Sequence, residues 1–274
     1  MELRDLQLQE LVILRECLKI INKYNLRYFM LGGTFLGAIR HKGFIPWDDD
    51  IDIGMPRPDY ETFIKVAQEE LPAFLKLVSY KNDSEYKKYF IKVLNKNVKF
   101  VREDTIEQEE TNLWIDIFPL DGMPNNILVR KFHSYRLLFR RLQFQYSVFK
   151  KGVNIRKKRP LHEKVLIKLG YVYTKIFHLN VDKQLNKLDT LLKKYKYDDS
   201  KYVVNFMGAY KFKEMFPKVY YDTPVEYDFE DMKLYGASEY DKILTQMYGD
   251  YMKPPAQNQR FSHSIKIEDQ NNGK

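Results

Sequence analysis

Apolar side chains recur at helical spacing near the start of the chain and at strand spacing soon afterwards. Leu11, Leu14, Leu18 and Ile21 are three, four and three positions apart, which predicts a helix with one face on a core. The stretch RYFMLGG then predicts a short buried strand that ends at two glycines. Acids alternate with aliphatic residues in DIDIGM, which predicts a second strand.

Helical and strand patterns continue to alternate up to about residue 124. TFLGAIRHKG predicts a short helix from near Thr34 to Gly43. Another helix is predicted by the spacing of Tyr60, Phe63, Ile64 and Ala67, and three more strands by YFIKVLN, VKFVRE and LWIDIFPLD. Strands and helices interleaved in this way predict an α+β fold, with a mixed β-sheet core and flanking helices.

From residue 125 the pattern is mainly helical. Asn125 or Asn126 could cap a long amphipathic helix that Gly152 would end. Its apolar positions are Leu128, Phe132, Tyr135, Phe139, Leu142, Tyr146 and Phe149, and a further helix is predicted by Leu185, Leu188 and Leu192. We therefore expect a mixed-sheet core domain at 1–124, a basic helical segment at 125–200, and a C-terminal segment at 201–274 that packs on the core and completes its functional site.

The net charge of +9 belongs to one segment of the chain. Residues 130–168 contain thirteen Lys and Arg and one acid, Glu163, whereas the remainder is slightly acidic. This charge fits a helix that packs its apolar side on the core and exposes its cations to water, and it also fits attraction to an anionic membrane surface. Nucleic acid is a weaker alternative, because no binding motif accompanies the charge.

The single cysteine, Cys17, excludes an intrachain disulfide and is typical of a small core side chain. The stretch MELRDLQLQE mixes acids with a base where a signal peptide needs a basic start and an apolar run. Charges interrupt every later apolar run. We expect a cytoplasmic protein, peripheral on the inner face of the cell membrane.

Four aspartates stand close together in FIPWDDDIDIGMPR. Two carboxylates about 4 Å apart repel by roughly 4 kcal/mol in a partly buried site, so the cluster needs exposure, protonation or a cation. On a strand, Asp48, Asp50 and Asp52 would share one face, and Asp49 would point to the other. Such carboxylates suit Mg²⁺ or Mn²⁺. A calcium EF-hand does not fit, because Ile53 occupies the position of its turn glycine.

Two further features favour a metal and phosphate site over a solvated acidic turn. Asp116, in WIDIF, could supply a third carboxylate from a neighbouring strand. Gly32 and Gly33 precede a helix, where backbone amides and the helix dipole can bind a phosphate. Alone, the two glycines would indicate only a tight turn.

This arrangement resembles the nucleotidyltransferase fold, in which an apolar strand ending in Gly-Gly precedes Asp-x-Asp and a third acid. The longer stretch LGGTFLGAIRHKGFIPWDDDIDIGMPRPDYETF resembles the signature of the LicD family. WIDIFPLDGMP, at 114–124, and YGDYMKPPAQNQRFSH, at 248–263, are similar to two further blocks of that family. The resemblance runs nearly from end to end of the chain.

The resemblance implies transfer of phosphocholine, or a similar phospho-alcohol, from CDP-choline or a related CDP-alcohol. The implied acceptor is a hydroxyl of a cell-surface glycan precursor, such as teichoic acid, lipopolysaccharide or capsule, possibly lipid-linked. Asp50 and Asp52 would hold the metal that neutralises the diphosphate. Asp116 would complete the metal site or take the proton from the attacking hydroxyl, and Asp48 is a further ligand.

Other residues are candidates for binding substrate. Thr34 and the Gly32 and Gly33 amides could hold a phosphate, and Arg40 could donate a charge-assisted hydrogen bond to one. Trp47 could contact a quaternary ammonium group. In the C-terminal block, the candidates are Asp250, Arg260 and His263.

Three alternatives to a phosphocholine transferase remain. A transferase of the same fold could move phosphoethanolamine, a polyol phosphate or a nucleotidyl unit. A non-catalytic protein could bind glycan or membrane, although the aspartates argue against it. A nucleic-acid binder would depend on the basic segment alone.

Overall fold

The computed structural model describes residues 2–102, 109–148, 179–256 and 265–266. Helix α1 (Leu3–Lys23) buries the predicted positions Leu11, Leu14 and Ile21, whereas Leu18 is only partly buried at the edge of the core. Cys17 is fully buried on the same face, which confirms its prediction as a core side chain. Burial also raises the pKa of its thiol.

In the described residues, the elements after α1 are β1 (Phe29–Met30), α2 (Gly32–His41), β2 (Asp52–Pro56), α3 (Arg57–Glu70), β3 (Leu75–Val78), β4 (Ile91–Arg102), β5 (Glu109–Met123), α4 (Ile127–Ser147), α5 (Val181–Leu192), β6 (Tyr202–Val204), a 3-10 helix (Lys211–Glu214), β7 (Met215–Pro217), α6 (Val219–Asp222), β8 (Val225–Phe229), β9 (Met232–Gly236), α7 (Tyr240–Tyr248) and β10 (Ile265–Lys266).

Most of the described strands belong to one mixed sheet. Its central order is β1-β2-β5-β4-β10, with β3 beside β4, and with β6 and then β7 continuing from the last residues of β5. The pair β2 and β5 is parallel, and the other pairs in the sheet are antiparallel. Strands β8 and β9 form a separate hairpin. The predicted α+β class with a mixed sheet is confirmed.

The two strands predicted for YFIKVLN and VKFVRE are in fact one long strand, β4. The pairing between β4 and β5 shifts register between Asn95 and Lys99, as at a β-bulge, and then continues. At this irregularity, Asn95 Oδ1 accepts a hydrogen bond from the Asn97 backbone N–H at 3.0 Å. The prediction of separate strands was wrong because the polar residues between them form a bulge and no turn.

Helix α4 begins as predicted but packs differently. Asn126 is its N-cap, and the side-chain oxygen accepts from the backbone N–H groups of Leu128 and Val129. The buried residues of α4 are His133, Leu137 and Phe144, on the side that contacts α5. The first four predicted apolar positions, Leu128, Phe132, Tyr135 and Phe139, are exposed instead. The alternative in which this stripe packs on the core is therefore wrong for these four positions. Leu142 and Tyr146 are partly buried, and Phe149 lies outside the described residues.

A second apolar cluster surrounds α5. Its buried residues include Leu185, Leu188 and Leu192, which confirms the predicted helix, together with Leu137 of α4 and Met123 at the end of β5. Gly152 and the C-terminal part of the predicted basic segment lie outside the described residues. Within the described ranges, no helix is both long enough and apolar enough to cross a bilayer.

Candidate active site

The acidic stretch alternates as predicted, but mostly outside a strand. Strand β2 begins only at Asp52. Asp48, Asp50 and Asp52 nevertheless line one cleft, whereas Asp49 and Ile51 are buried. The separation of three aspartates from Asp49 is therefore confirmed, and it arises from an extended segment that leads into β2.

The cleft has a volume of about 270 Å³ and two unlike sides. The three aspartates and the beginning of α2 form one side, with Gly32 and Gly33 in the lining. The other side comes from the segment 205–214 and from Met247 and Tyr248 at the end of α7, and the Tyr248 hydroxyl would lie 3.8 Å from a Cβ placed on Gly32. Acids, a helix N-terminus, aromatic rings and polar groups therefore border one space that a small ligand could occupy.

The two glycines let the acids approach the start of α2. Gly32 has a φ of +51°, a conformation that side-chain-bearing residues rarely adopt, and a Cβ there would lie 3.3 Å from Asp52 Oδ2. A Cβ on Gly33 would overlap Asp48 Oδ2. The first backbone N–H groups of a helix have no partner within the helix, and they carry positive partial charge. The lining therefore suits a phosphate group close to carboxylates that could share a cation with it.

Thr34 holds Asp52 in place. Its Oγ1 accepts a hydrogen bond from the Asp52 backbone N–H at 2.8 Å, and Thr34 is almost fully buried. The Asp52 carbonyl in turn accepts from the Leu31 N–H at 3.0 Å. The structure thus gives Thr34 a positioning contact, and its contact with a phosphate stays a prediction.

Asp116 lies beside Asp52 on the neighbouring strand. The two residues are paired in register between β2 and β5, and Lys92 of β4 is paired with Asp116 on the other side. Lys92 Nζ is 3.2 Å from Asp116 Oδ1 and 3.3 Å from the centre of the Trp114 ring. The predicted neighbouring strand is confirmed. The ligand or base role of Asp116 stays a prediction, because its side chain pairs with Lys92 and is not part of the cleft lining.

Burial and like charge act on Asp52 together. Burial raises the pKa of its carboxyl well above the ordinary value, and the charges of Asp50, Asp116, Asp48 and Glu214 raise it further. A bound cation would reverse this effect, because it favours the ionised form.

The donor chemistry of the cleft fits a hard divalent ion. Carboxylate oxygens are the protein ligands that Mg²⁺ prefers, and it leaves other positions to water and phosphate. As placed, no group of three or more acidic, histidine or cysteine side chains among the described residues is already arranged as a metal site. Asp48, Asp50 and Asp52 would therefore have to turn toward the ion, and the metal stays a prediction.

Arg40 and Trp47, both predicted to bind substrate, lie outside the cleft lining. Arg40 donates to the Tyr251 carbonyl at 2.6 Å and to His41 Nε2 at 2.9 Å. Its guanidinium carbon lies 5.9 Å from the centre of the Trp47 ring. These contacts join the end of α2 to the chain after α7, and the binding roles of both residues stay predictions.

Sequence reasoning missed Glu214, which lines the same cleft as the aspartates. Its carboxylate accepts from Asn205 Nδ2 at 2.7 Å and from the Tyr210 N–H at 2.9 Å, which closes the segment 205–214 around it. Burial raises its pKa to about 7. The available signal was one acid in NFMGAYKFKEMF, a segment that is otherwise aromatic, apolar, basic or uncharged.

The C-terminal block contributes Tyr248 to the cleft. Its ring packs edge to face on Tyr210, with the centroids 5.8 Å apart, and both rings line the cleft. Of the three residues predicted from this block, Asp250 is exposed, and Arg260 and His263 lie outside the described residues.

Comparison with known proteins gives matches of two kinds. Residues 25–150 match the family described as "LicD/FKTN/FKRP, nucleotidyltransferase domain". The protein named lipopolysaccharide cholinephosphotransferase LicD, from Haemophilus influenzae, is 31% identical over 268 residues, which cover 95% of this chain and 96% of the relative. An uncharacterized protein of Rickettsia typhi is 40% identical over 65 residues, 24% of this chain and 20% of its own length. The long match includes both sides of the cleft.

Proposed function

This chain belongs to the LicD family, and we propose that it transfers phosphocholine from CDP-choline, or a similar group from a related CDP-alcohol, to a hydroxyl of a lipopolysaccharide-type glycan. The relative from Haemophilus influenzae is named for a cholinephosphotransferase of lipopolysaccharide. The observation that carries the proposal is the convergence of Asp48, Asp50 and Asp52 with the α2 N-terminus in one cleft.

Donor binding would use the acidic side of the cleft. The amides at Gly32 and Gly33 would bind a phosphate oxygen of the donor. Asp48, Asp50 and Asp52, with Asp116 beside them, would hold a divalent cation, Mg²⁺ or Mn²⁺. When bound, the cation would neutralise charge on the diphosphate. Positioning and charge neutralisation are most of what phosphoryl transfer requires.

The transfer step forms one bond and breaks another. The acceptor oxygen bonds to the phosphorus that carries choline, the bond from that phosphorus to the bridging oxygen breaks, and CMP leaves with the bonding electrons. The acceptor hydroxyl gives its proton to a carboxylate of the protein. Asp116 and Glu214 are the candidates, and Glu214 has the better position because it lines the cleft and has a pKa of about 7.

The aromatic side of the cleft would bind the choline group of the donor. Tyr210 and Tyr248 present two perpendicular rings, and Phe118 is part of the same lining. Quaternary ammonium groups bind to the faces of such rings. A donor with its diphosphate near the aspartates would then direct its choline toward these tyrosines.

The test is release of CMP by the purified protein. We would supply Mg²⁺, a panel of CDP-alcohols that includes CDP-choline and CDP-ethanolamine, and a lipopolysaccharide acceptor. We expect CMP from CDP-choline, and at least a hundredfold slower release in the variants Asp50→Asn and Asp52→Asn, because each removes charge that holds the cation. Chelation with EDTA should stop the reaction, and Mn²⁺ or Mg²⁺ should restore it.

Asp199→Asn is the matched control, because Asp199 is an exposed aspartate that is not part of the cleft lining. Full activity in both Asp50→Asn and Asp52→Asn would refute the site. Release of pyrophosphate from a nucleoside triphosphate, with no CMP from any CDP-alcohol, would instead identify a nucleotidyltransferase of the same fold.

A further inference from the structure

Helix α4 exposes an apolar stripe formed by Leu128, Phe132, Tyr135 and Phe139, hereafter the α4 stripe. These residues are 73%, 64%, 71% and 56% exposed. They are four, three and four positions apart, which places them on one side of the helix. The opposite side, with Leu137 and Phe144, packs in the apolar cluster around α5. Contiguous exposed apolar surface of this kind marks an interaction site.

Cations border the α4 stripe. Lys131 and Arg136 are exposed, and the guanidinium groups of Arg136 and Arg140 lie 5.9 Å from the ring centres of Phe132 and Phe139. No acidic residue occurs anywhere in α4. The helix therefore presents apolar side chains between positive charges and carries no negative charge of its own.

Two other arginines of α4 serve the fold. Arg130 stacks on Tyr202, with its guanidinium carbon 4.0 Å from the ring centre, and donates to the Pro124 and Asn125 carbonyls. Arg141 donates to the Phe206 carbonyl. The basic residues of α4 thus divide by position, because Lys131, Arg136 and Arg140 flank the α4 stripe while these two hold the helix to the protein.

We propose that the α4 stripe binds the surface of an anionic lipid bilayer. The apolar side chains would enter the boundary between headgroups and acyl chains, and Lys131, Arg136 and Arg140 would meet the anionic headgroups. Nucleic acid would satisfy the cations but would leave four apolar side chains against phosphates. The proposal rests on the described residues of α4 alone, whose exposed cations complement an anionic surface.

Vesicle flotation of the full chain tests this surface. The vesicles would contain phosphatidylcholine alone, or phosphatidylcholine with phosphatidylglycerol. We expect flotation with the anionic vesicles at low salt and less at high salt, because salt screens the cations. Phe132→Ser combined with Phe139→Ser should reduce partitioning roughly tenfold or more, and Lys131→Gln combined with Arg136→Gln should remove the preference for anionic vesicles.

Matched controls distinguish an effect of the α4 stripe from a general effect of exposed apolar side chains or of total charge. Val219→Ser changes another exposed apolar residue, and Lys65→Gln combined with Lys96→Gln removes two exposed cations elsewhere; both should float like the wild type. The Phe132→Ser and Phe139→Ser variant should keep the thermal unfolding midpoint, since both side chains are exposed. It should also keep CMP release with a water-soluble acceptor, so membrane binding and transfer are tested separately.

Three results would overturn the proposal. The first is no flotation with anionic vesicles at low salt. The second is flotation that is unchanged in the Phe132→Ser and Phe139→Ser variant. The third is a dimer, detected by sedimentation, that this variant abolishes while the wild type binds no vesicles, since a second copy of the chain would then cover the α4 stripe.

Discussion

Asp52 shows how much of the site depends on the placement of one residue. It begins β2, its N–H donates to Thr34, and its carbonyl accepts from Leu31. One of its carboxylate oxygens lies so close to Gly32 that a Cβ placed there would be 3.3 Å away. Its neighbour across the sheet is Asp116. A carboxylate that several acidic neighbours repel is thus fixed at its backbone by groups that carry no charge.

We predict that Thr34→Val weakens both the fold and the activity. Valine has the shape of threonine but cannot accept the hydrogen bond from the Asp52 N–H, which would lose its partner at a buried position. The expected loss is about 1–2 kcal/mol in the free energy of unfolding. We also expect roughly tenfold slower CMP release, because Asp52 would be less well positioned. Urea unfolding and the transfer assay measure the two effects.

Thr34→Ser is the control for this prediction, since serine keeps the accepting oxygen. It should retain most of the activity. Equal activity in the valine variant and the wild type would show that the hydrogen bond has no role in placing Asp52.

Glu214 should make the protein less stable as the pH rises. Its folded pKa of about 7 exceeds the ordinary 4.5, so the folded state binds more protons than the unfolded state between these values. Stability contributed by the protonated form is therefore complete below pH 4.5 and is lost as the pH rises through 7. The unfolding free energy of the wild type should fall between pH 5 and pH 8, and Glu214→Gln should reduce this fall by up to roughly 3 kcal/mol. Urea unfolding at the two pH values measures it.

Asp52 and Glu10 contribute to pH dependence in the same direction, because burial raises the pKa of each. The comparison must therefore be between Glu214→Gln and the wild type at both pH values. Glu226→Gln, an exposed control, should leave the slope unchanged. An unchanged slope in Glu214→Gln would contradict the burial argument.

At this scale, the sequence predicted residues whose placement depends on local geometry. The alternation of Asp48, Asp50 and Asp52 follows from extended backbone, and Gly32 and Gly33 follow from the start of a helix. Glu214 was missed, and Tyr248 was not singled out within its C-terminal block, because both reach the cleft only through the packing of segments that are distant along the chain. No local period encodes that packing.

At the scale of elements, the parallel pair β2 and β5 positions two acids of the candidate site at one end and a buried ion pair at the other. Asp52 and Asp116 lie at one end of the pairing. Arg57, immediately after β2, donates to both carboxylate oxygens of Asp121 in β5 at 2.7 Å. It also donates to the Tyr89 hydroxyl, and its guanidinium lies 3.6 Å from the carboxylate of Asp189 in α5. One strand pair therefore places repelling carboxylates at one end and a buried ion pair at the other.

Arg57→Met should destabilise the protein strongly. Asp121 would stay buried without the cation that lowers its pKa, at an expected cost of about 3–5 kcal/mol in unfolding free energy near pH 8. The pKa of Asp121 would rise further above its unfolded value, so the deficit should be smaller near pH 5, where the carboxyl is more protonated. Urea unfolding at the two pH values gives both numbers.

Arg15→Met supplies the comparison, because Arg15 pairs with Asp231 at the exposed surface. Its cost should stay below about 1 kcal/mol. A similar cost for both variants would mean that the Arg57 network contributes no more than a surface ion pair.

Elements were predictable to the extent that their hydrophobic period was clear. Helices α1, α3 and α5 and the cap of α4 followed from spacing and capping residues. The hydrophobic period shows which residues share a helix face, but it does not show what covers that face. The α4 stripe was therefore correctly predicted to lie on one side of a helix, although one of the two alternatives packed it on the core. The bulge in β4 was missed because a short polar stretch gives the same sequence signal whether it forms a bulge within a strand or ends the strand.

At the scale of the whole molecule, the site requires nearly the full length of the chain. The family match at 25–150 includes the aspartates and Gly32 but excludes Glu214 and Tyr248. The 31% identity to the Haemophilus influenzae relative extends over both sides. We therefore propose that the C-terminal side of the cleft determines which alcohol is transferred, and that the N-terminal side supplies the charge chemistry.

The parallel pairing of β2 and β5 also has a consequence for how the chain folds. Arg57 and Asp121 are 64 residues apart, and Asp52 and Asp116 meet in the same strand pair. Contacts between such distant residues form slowly, because a long loop must first lose conformational entropy. Repulsion between the carboxylates opposes this loop closure, whereas the Arg57–Asp121 ion pair favours it. We therefore expect the cleft to form only after the two strands have met, and an N-terminal fragment that ends before β5 to contain Asp48, Asp50 and Asp52 without a cleft to hold them.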